Sequence, residues 1–166
     1  MPSVKLPGFP LGSRVKGVDG DGDGTVVVTV MGTPSTWHPY TWKNGTAKQL
    51  PVLAGAANAQ VTEISNGYVI GDALDSDFHS TAVLWNKDGK VTALPNGDST
   101  TAINSQGLIL GSNKKLVSGL WQLTTDVGAA PSDGRVYTLG DDGTPAGAKA
   151  LAGTTYPRFP AVWRCG

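Results

Sequence analysis

The densest chemistry in this sequence is the run Asp19-Gly20-Asp21-Gly22-Asp23-Gly24. Alternate carboxylates at this spacing can converge on one hard cation, and the glycines between them permit the tight bend; a calcium loop opens with Asp-x-Asp-x-Asp-Gly. Asp19, Asp21 and Asp23 are therefore the candidate metal ligands, and calcium the candidate ion. Positions nine and twelve of such a loop fall on Val27 and Val30, so no bidentate carboxylate closes it and the site would be weak unless ligands come from elsewhere. The competing reading, an extended hairpin turn with solvated acids, is the stronger of the two. The run sits where another part of the chain carries the ordinary turn Ile64-Ser65-Asn66-Gly67.

A second cluster is aromatic and polar: Thr36-Trp37-His38-Pro39-Tyr40. It reads as a loop, with Trp37 beside His38 and Tyr40 offering a ring for stacking on a sugar or on a partner's side chain. Its competitor is plain packing. One repeat later, Asp72 to His79 occupies the equivalent loop, and Asp75 and Asp77 there would add a polar rim to the same face. His38 and His79 are the only histidines. Nothing in their spacing supplies a metal partner or a catalytic triad, and solvated loop histidines are the simpler account.

What must position these residues is read from composition and punctuation. The 166 residues carry 13 basic and 13 acidic groups, with no basic stripe; nucleic acid is not an expected partner. Glu63 is the only glutamate. Asp favours turns and Glu favours helices, so the acid balance argues against helices. With 23 Gly and 11 Pro among plentiful β-branched residues, the chain reads as turn-dense and globular. No apolar run has the length of a membrane span. Cys165 stands alone, and a small, partly buried strand-end residue is its simplest role. The Glu-poor style suggests an exported bacterial protein whose signal peptide has been removed.

Four tryptophans, Trp42, Trp85, Trp121 and Trp163, end short apolar strands at spacings of 43, 36 and 42 residues. After two of them come the turns Lys43-Asn44-Gly45 and Asn86-Lys87-Asp88-Gly89, then a strand ending on Leu50-Pro51 or Leu94-Pro95. Asn-Gly and Asp-Gly are hairpin dipeptides because they accept positive φ. A further hairpin follows, Val61 to Gly71 in one copy and Thr101 to Gly111 in the other. Four short antiparallel strands per unit of roughly 40 residues is the arithmetic of a propeller blade.

The expected fold is thus all-β, a single domain over 1–166: a small β-propeller of about four four-stranded blades. The units would run 160–166 plus 1–35, 36–77, 78–115 and 116–159, with the first blade closed by the N- and C-terminal strands. Half of a larger, intermolecular propeller is the alternative. The fourth copy is expected to have lost its middle hairpin, because no Ile-Asn-x-x-Gly pattern follows Trp121.

The order Ala-x-x-Trp-x-x-x-Gly, Leu-Pro, Ala-x-x-Ile-Asn-x-x-Gly-x-x-x-Gly resembles the HAF-type extracellular repeat of bacterial secreted proteins. Tyr40 to Gly71 and Ala82 to Gly111 carry the likeness best. The resemblance implies a propeller-like exported protein and brings no catalytic residues. The functional expectation is a non-enzymatic binding module recognising carbohydrate or a protein through its loops. The alternatives are an assembly unit that completes a ring with another chain as a homo-oligomer, and a glycosidase-like propeller. The last is weakened because only aspartates remain to pair with Glu63.

Overall fold

A computed structural model describes residues 7–9, 14–32, 35–115, 118–130, 134–150 and 158–163. Among these the chain is all-β, in four antiparallel sheets without a helix. The first sheet holds β1 (Arg14–Gly20), β2 (Val26–Gly32), β3 (Thr36–Lys43) and β4 (Thr46–Gln49); the second holds β5 (Asn58–Ser65), β6 (Tyr68–Leu74), β7 (Ser80–Trp85) and β8 (Val91–Ala93). The third holds β9 (Gly97–Ile103), β10 (Leu108–Asn113), β11 (Ser118–Gln122) and β12 (Thr125–Ala129), and the fourth β13 (Gly134–Leu139), β14 (Pro145–Ala150) and β15 (Arg158–Val162). Each sheet is a meander whose strands neighbour one another in chain order.

The period agrees with the sequence; the phase does not. Each tryptophan strand is the third of its sheet, whereas the units drawn from the sequence began on it, so the expected unit 36–77 is shared between two sheets. A repeat fixes a spacing, but where one sheet stops is fixed by which hairpins pair, and that pairing is non-local. The fourth copy also keeps its hairpin: β13 and β14 pair antiparallel around Gly140 to Gly143. The turn is built without the Ile-Asn pattern and so escapes a motif search. Lys5, Leu6 and Cys165, and with them the expected closure of one blade by both termini, lie outside the described residues.

One irregularity repeats through all four sheets. The first strand carries a β-bulge at Gly17, Thr62, Thr101 and Tyr137, where the register against the second strand slips by one. A bulge bends and twists its strand, and here it carries a carbonyl over the second strand. A side chain at Gly71, Gly111 or Gly147 would collide with the carbonyl of Gln60, Ser99 or Arg135 respectively. In the first sheet the bulge sits one position away, and Val28 occupies the glycine's place.

The sheets pack in sequence order: β5 lies against β1, β2 and β3; β9 against β5, β6 and β7; β13 against β9 and β10. Three apolar cores fill the seams. Val27 and Leu50 meet Ala59, Ile64, Val83 and Trp85 in the first; Ile70, Leu84 and Leu94 meet Ile103, Ile109 and Trp121 in the second. Ala102, Leu110 and Ala130 meet Val136, with Trp163 packed alongside, in the third. Ala130 is thus the third sheet's version of Leu50 and Leu94. The amides of Leu50, Leu94 and Ala130 all bond back to the third strand, at Pro39, Ala82 and Ser118.

Three of the four recurring tryptophans, Trp85, Trp121 and Trp163, pack the seams, as a recurring aromatic in a repeat should. Trp85 and Trp121 are fully buried, and their indole N–H groups donate to the carbonyls of Pro51 and Pro95 at 2.8 and 3.0 Å.

Candidate functional site

The Asp19–Gly24 run is a hairpin turn. Asp21 N bonds Thr25 O and Gly24 N bonds Asp21 O, leaving a three-residue loop that ends on Gly24 at φ 82°. The same loop recurs at Asn86–Lys90, Asn104–Leu108 and Gly140–Thr144, ending on Gly89, Gly107 and Gly143 at φ 80°. A glycine there supplies the left-handed residue that such loops require.

The three carboxylates part company. Asp19 accepts from the Ile64 amide at 2.9 Å, and Asp21 accepts from the amides of Asn66 and Gly67 at 3.2 and 2.6 Å. Asp23 pairs with Lys43 and accepts from Thr25 N; the Lys43 contact, then Thr25, holds its carboxyl well below the usual range. Each acid is engaged by a different donor, two of them on the next sheet, and the set does not fit a shared calcium ion. The sequence spacing was right for a loop of that kind. The short turn aims the side chains elsewhere.

These carboxylates belong to a seam pattern. The first strand is an edge of its sheet, so the outward amides on either side of its bulge have no strand of their own sheet to pair with, and the preceding sheet supplies acceptors for them. Thr29 Oγ1 takes the Val61 amide and Asp19 the Ile64 amide. One seam on, Asp72 takes the Thr100 amide at 2.8 Å and Glu63 the Ile103 amide at 2.9 Å. Burial raises the Glu63 and Asp72 carboxyls above their ordinary values, with the amide bonds pulling the other way. Raised carboxyls can mark an acid catalyst; here the geometry assigns both to holding sheets together.

Trp37, His38 and Tyr40 lie within β3, not in a loop. Pro39 is a strand residue with no ladder N–H to offer. Its carbonyl receives the Leu50 amide, so the strand still bonds its neighbour at this position. Lys16 sits 5.1 Å from the centre of the Trp37 ring, covering one face. His38 Nδ1 lies 3.3 Å from Gln49 Nε2, and the Tyr40 hydroxyl donates to Gln49 Oε1 at 3.2 Å.

Asp75 and Asp77 do sit in the β6–β7 connection, grouped with His79 and not with the Trp37 strand. Asp75 Oδ1 accepts from the amides of Asp77 and His79, and Asp75 Oδ2 lies 3.1 Å from His79 Nδ1. Those bonds, the His79 amide foremost, lower the Asp75 carboxyl. Asp75, Asp77 and His79 place one ligand atom each within 4.8 Å of the others, the one such grouping among the described residues. The turn satisfies itself.

A cleft of about 760 Å³ lies at the turn end of the first seam, between the Asp21, Asn66 and Asn86 turns. Leu50, Ile64, Val69 and Trp85 form its floor, and Lys43, Lys48, Lys87 and Asp88 its mouth. Lys43 is paired with Asp23, and Lys87 bonds Asn66 Oδ1 at 3.3 Å beside the Tyr68 ring. The sequence reading missed this cleft, because its walls come from two sheets. The turns were visible as Asn-Gly and Asp-Gly dipeptides, but their meeting was not.

No family model matches the chain, and neither a curated protein nor a solved structure is significantly similar to it.

Proposed function

We propose that this chain is a non-enzymatic binding module, its four sheets arranged as blades of a propeller, and that a carbohydrate sits in the cleft between the first two. The single observation that carries the reading is the make-up of that cleft. Its volume, about 760 Å³, falls in the range of small-ligand sites. Its mouth alternates ammonium, carboxamide and carboxylate groups, at Lys48, Asn86, Lys87 and Asp88, above an apolar floor. A neutral polyhydroxylated ligand suits such a rim, since each hydroxyl both donates and accepts.

The seam roles of Glu63 and Asp72 favour binding over hydrolysis, because each carboxylate already takes a backbone amide. The contacts among the first strands of successive sheets favour the blade arrangement, and the HAF-type resemblance favours export. A glycan array followed by titration calorimetry tests the proposal. Binding is expected to weaken at least tenfold on Lys48→Ala and Asp88→Ala and to survive Trp37→Ala. An empty array overturns the ligand class, and binding that depends on Trp37 but not on Lys48 overturns the site.

A further inference from the structure

Every internal seam joins a forward face to a rear face. On the forward face stand Val27, Leu50 and Thr41 of the first sheet, Ile70, Leu94 and Leu84 of the second, and Leu110, Ala130 and Leu120 of the third. The register places Ala146 and Val162 of the fourth sheet at the positions of Leu110 and Leu120. Leu84 is 3% exposed and Val162 60%. Thr138, at the position of the buried Ala102, is exposed as well.

The first sheet's rear face shows the complement. Val26, Tyr40 and Trp42 stand where the second sheet has Val69, Val83 and Trp85. The latter three are at most 3% exposed, whereas Val26, Tyr40 and Trp42 are only half-buried and Val15 is 49% exposed. Trp85 and Trp121 donate their indole N–H groups to a carbonyl contributed from the preceding sheet's end. The buried Trp42 Nε1 has no acceptor among the described residues.

Among the described residues these two faces do not share a core, and on the first sheet's rear face only Phe9 stands against Tyr40, its ring edge-on at 5.6 Å. The described residues form a core at each of the first, second and third seams, and no cluster joins the fourth sheet to the first. We infer that the fourth sheet's forward face seats the rear face of the first sheet of a second copy, and reciprocally, so that two chains close one ring of eight sheets. The central residues of the two faces, Thr138, Ala146 and Val162 against Val15, Val26, Tyr40 and Trp42, are uncharged. Arg135 and Arg158 share the fourth sheet's side by register, and their guanidinium groups must reach solvent at the rim for the contact to bury no unpaired ion. A head-to-tail contact used twice about a two-fold axis closes, whereas one that fails to close grows into a filament. The inference is independent of the carbohydrate reading, whose cleft lies at an internal seam.

Sedimentation equilibrium and light scattering of the whole chain test it across micromolar concentrations. The mass is expected to rise with concentration from 17.1 kDa to twice that value and to stop there. Val162→Asp and Val15→Asp, each at an exposed position of a single chain, are expected to raise the dissociation constant at least tenfold while leaving the circular dichroism of the monomer unchanged. A 17.1 kDa species at the highest concentration overturns the inference, as in a ring closed within one chain. A ladder beyond two copies, or a dimer indifferent to both substitutions, overturns it too.

Discussion

Asp72 is the sharpest place to test the seam logic. It is 7% exposed, and its carboxylate takes the Thr100 amide at 2.8 Å, the Gln60 carboxamide at 3.1 Å and lies 3.2 Å from the Thr100 hydroxyl. Asp72→Ala strands the Thr100 amide in a buried site, at a cost of about 1–3 kcal/mol, and the loss of the Gln60 bond adds about 0.5–1.5 kcal/mol. A loss of about 3 kcal/mol corresponds to a fall of about 6–12 °C in Tm for a chain of this size. Asp72→Asn keeps an acceptor for Thr100, and its cost is expected to stay below about 1 kcal/mol at neutral pH. The two variants also separate in pH. Burial is the leading cause that raises the folded carboxyl, so the folded state keeps a proton that the unfolded chain has released. Its contribution to stability is full below the unfolded value and is lost as pH rises through the folded one. Asp72→Asn removes that dependence, so its stability relative to the native chain improves as pH rises. Urea unfolding at acidic and neutral pH reads both effects. An Asp72→Ala variant within 0.5 kcal/mol of the native chain, the low end of a hydrogen bond's net worth, or an Asn variant as damaged as the Ala one, refutes the reasoning.

Gly71→Ala is expected to lower stability by about 3 kcal/mol through overpacking, because its methyl group meets the Gln60 carbonyl and the Trp85 ring; Gly22→Ala, with open space around it, serves as the control in the same melts. Trp85→Phe removes the donor to the Pro51 carbonyl and should cost about 1–3 kcal/mol in chemical denaturation. Asp21→Ala, which frees the Asn66 and Gly67 amides, lowers Tm to the same extent with and without millimolar calcium; a calcium-dependent rise in the native chain would restore the metal loop. Glu63→Gln retains an acceptor for the Ile103 amide and relieves a buried charge. Because burial raises Glu63, the native chain gains stability on acidification through the raised value, and the variant shows less of that gain in parallel melts.

The strands and turns were legible because their causes are local. Asn66-Gly67 reads as a two-residue turn from its dipeptide, and the chain duly adopts positive φ at both residues, 49° and 77°. The tryptophan spacing gave the period for the same reason. What escaped was set by residues far apart in sequence. Asp19 looked like a cation ligand because its partner, the Ile64 amide, lies 45 positions away. Trp37 was expected in a loop because it falls outside the register of the recurring tryptophans; its pairing with Met31 across β2 and β3 makes it a strand residue. The glycines at 71 and 111 were visible as motif letters, but their cause is a bulge on the neighbouring strand, and a bulge has no sequence signature as plain as a turn's.

The seams are not equal, and the inequality has a direction. The first two have side-chain acceptors on both sides of the bulge, Thr29 with Asp19 and Asp72 with Glu63. At the third, Ala102 stands where Glu63 would, and two bonds that cross it run between turns, from Asn104 to Gly140 and from Ser105 to Asp141. Its core substitutes Ala130 for the leucines at 50 and 94 and Val136 for a larger cluster. In a repeat protein whose units touch only their neighbours, the weakest interface opens first. The fourth sheet should therefore exchange its amides before the other three. That order follows if the fourth sheet gains its remaining burial from outside the single chain: an end built to accept a neighbour can be left underpacked, because the neighbour completes it.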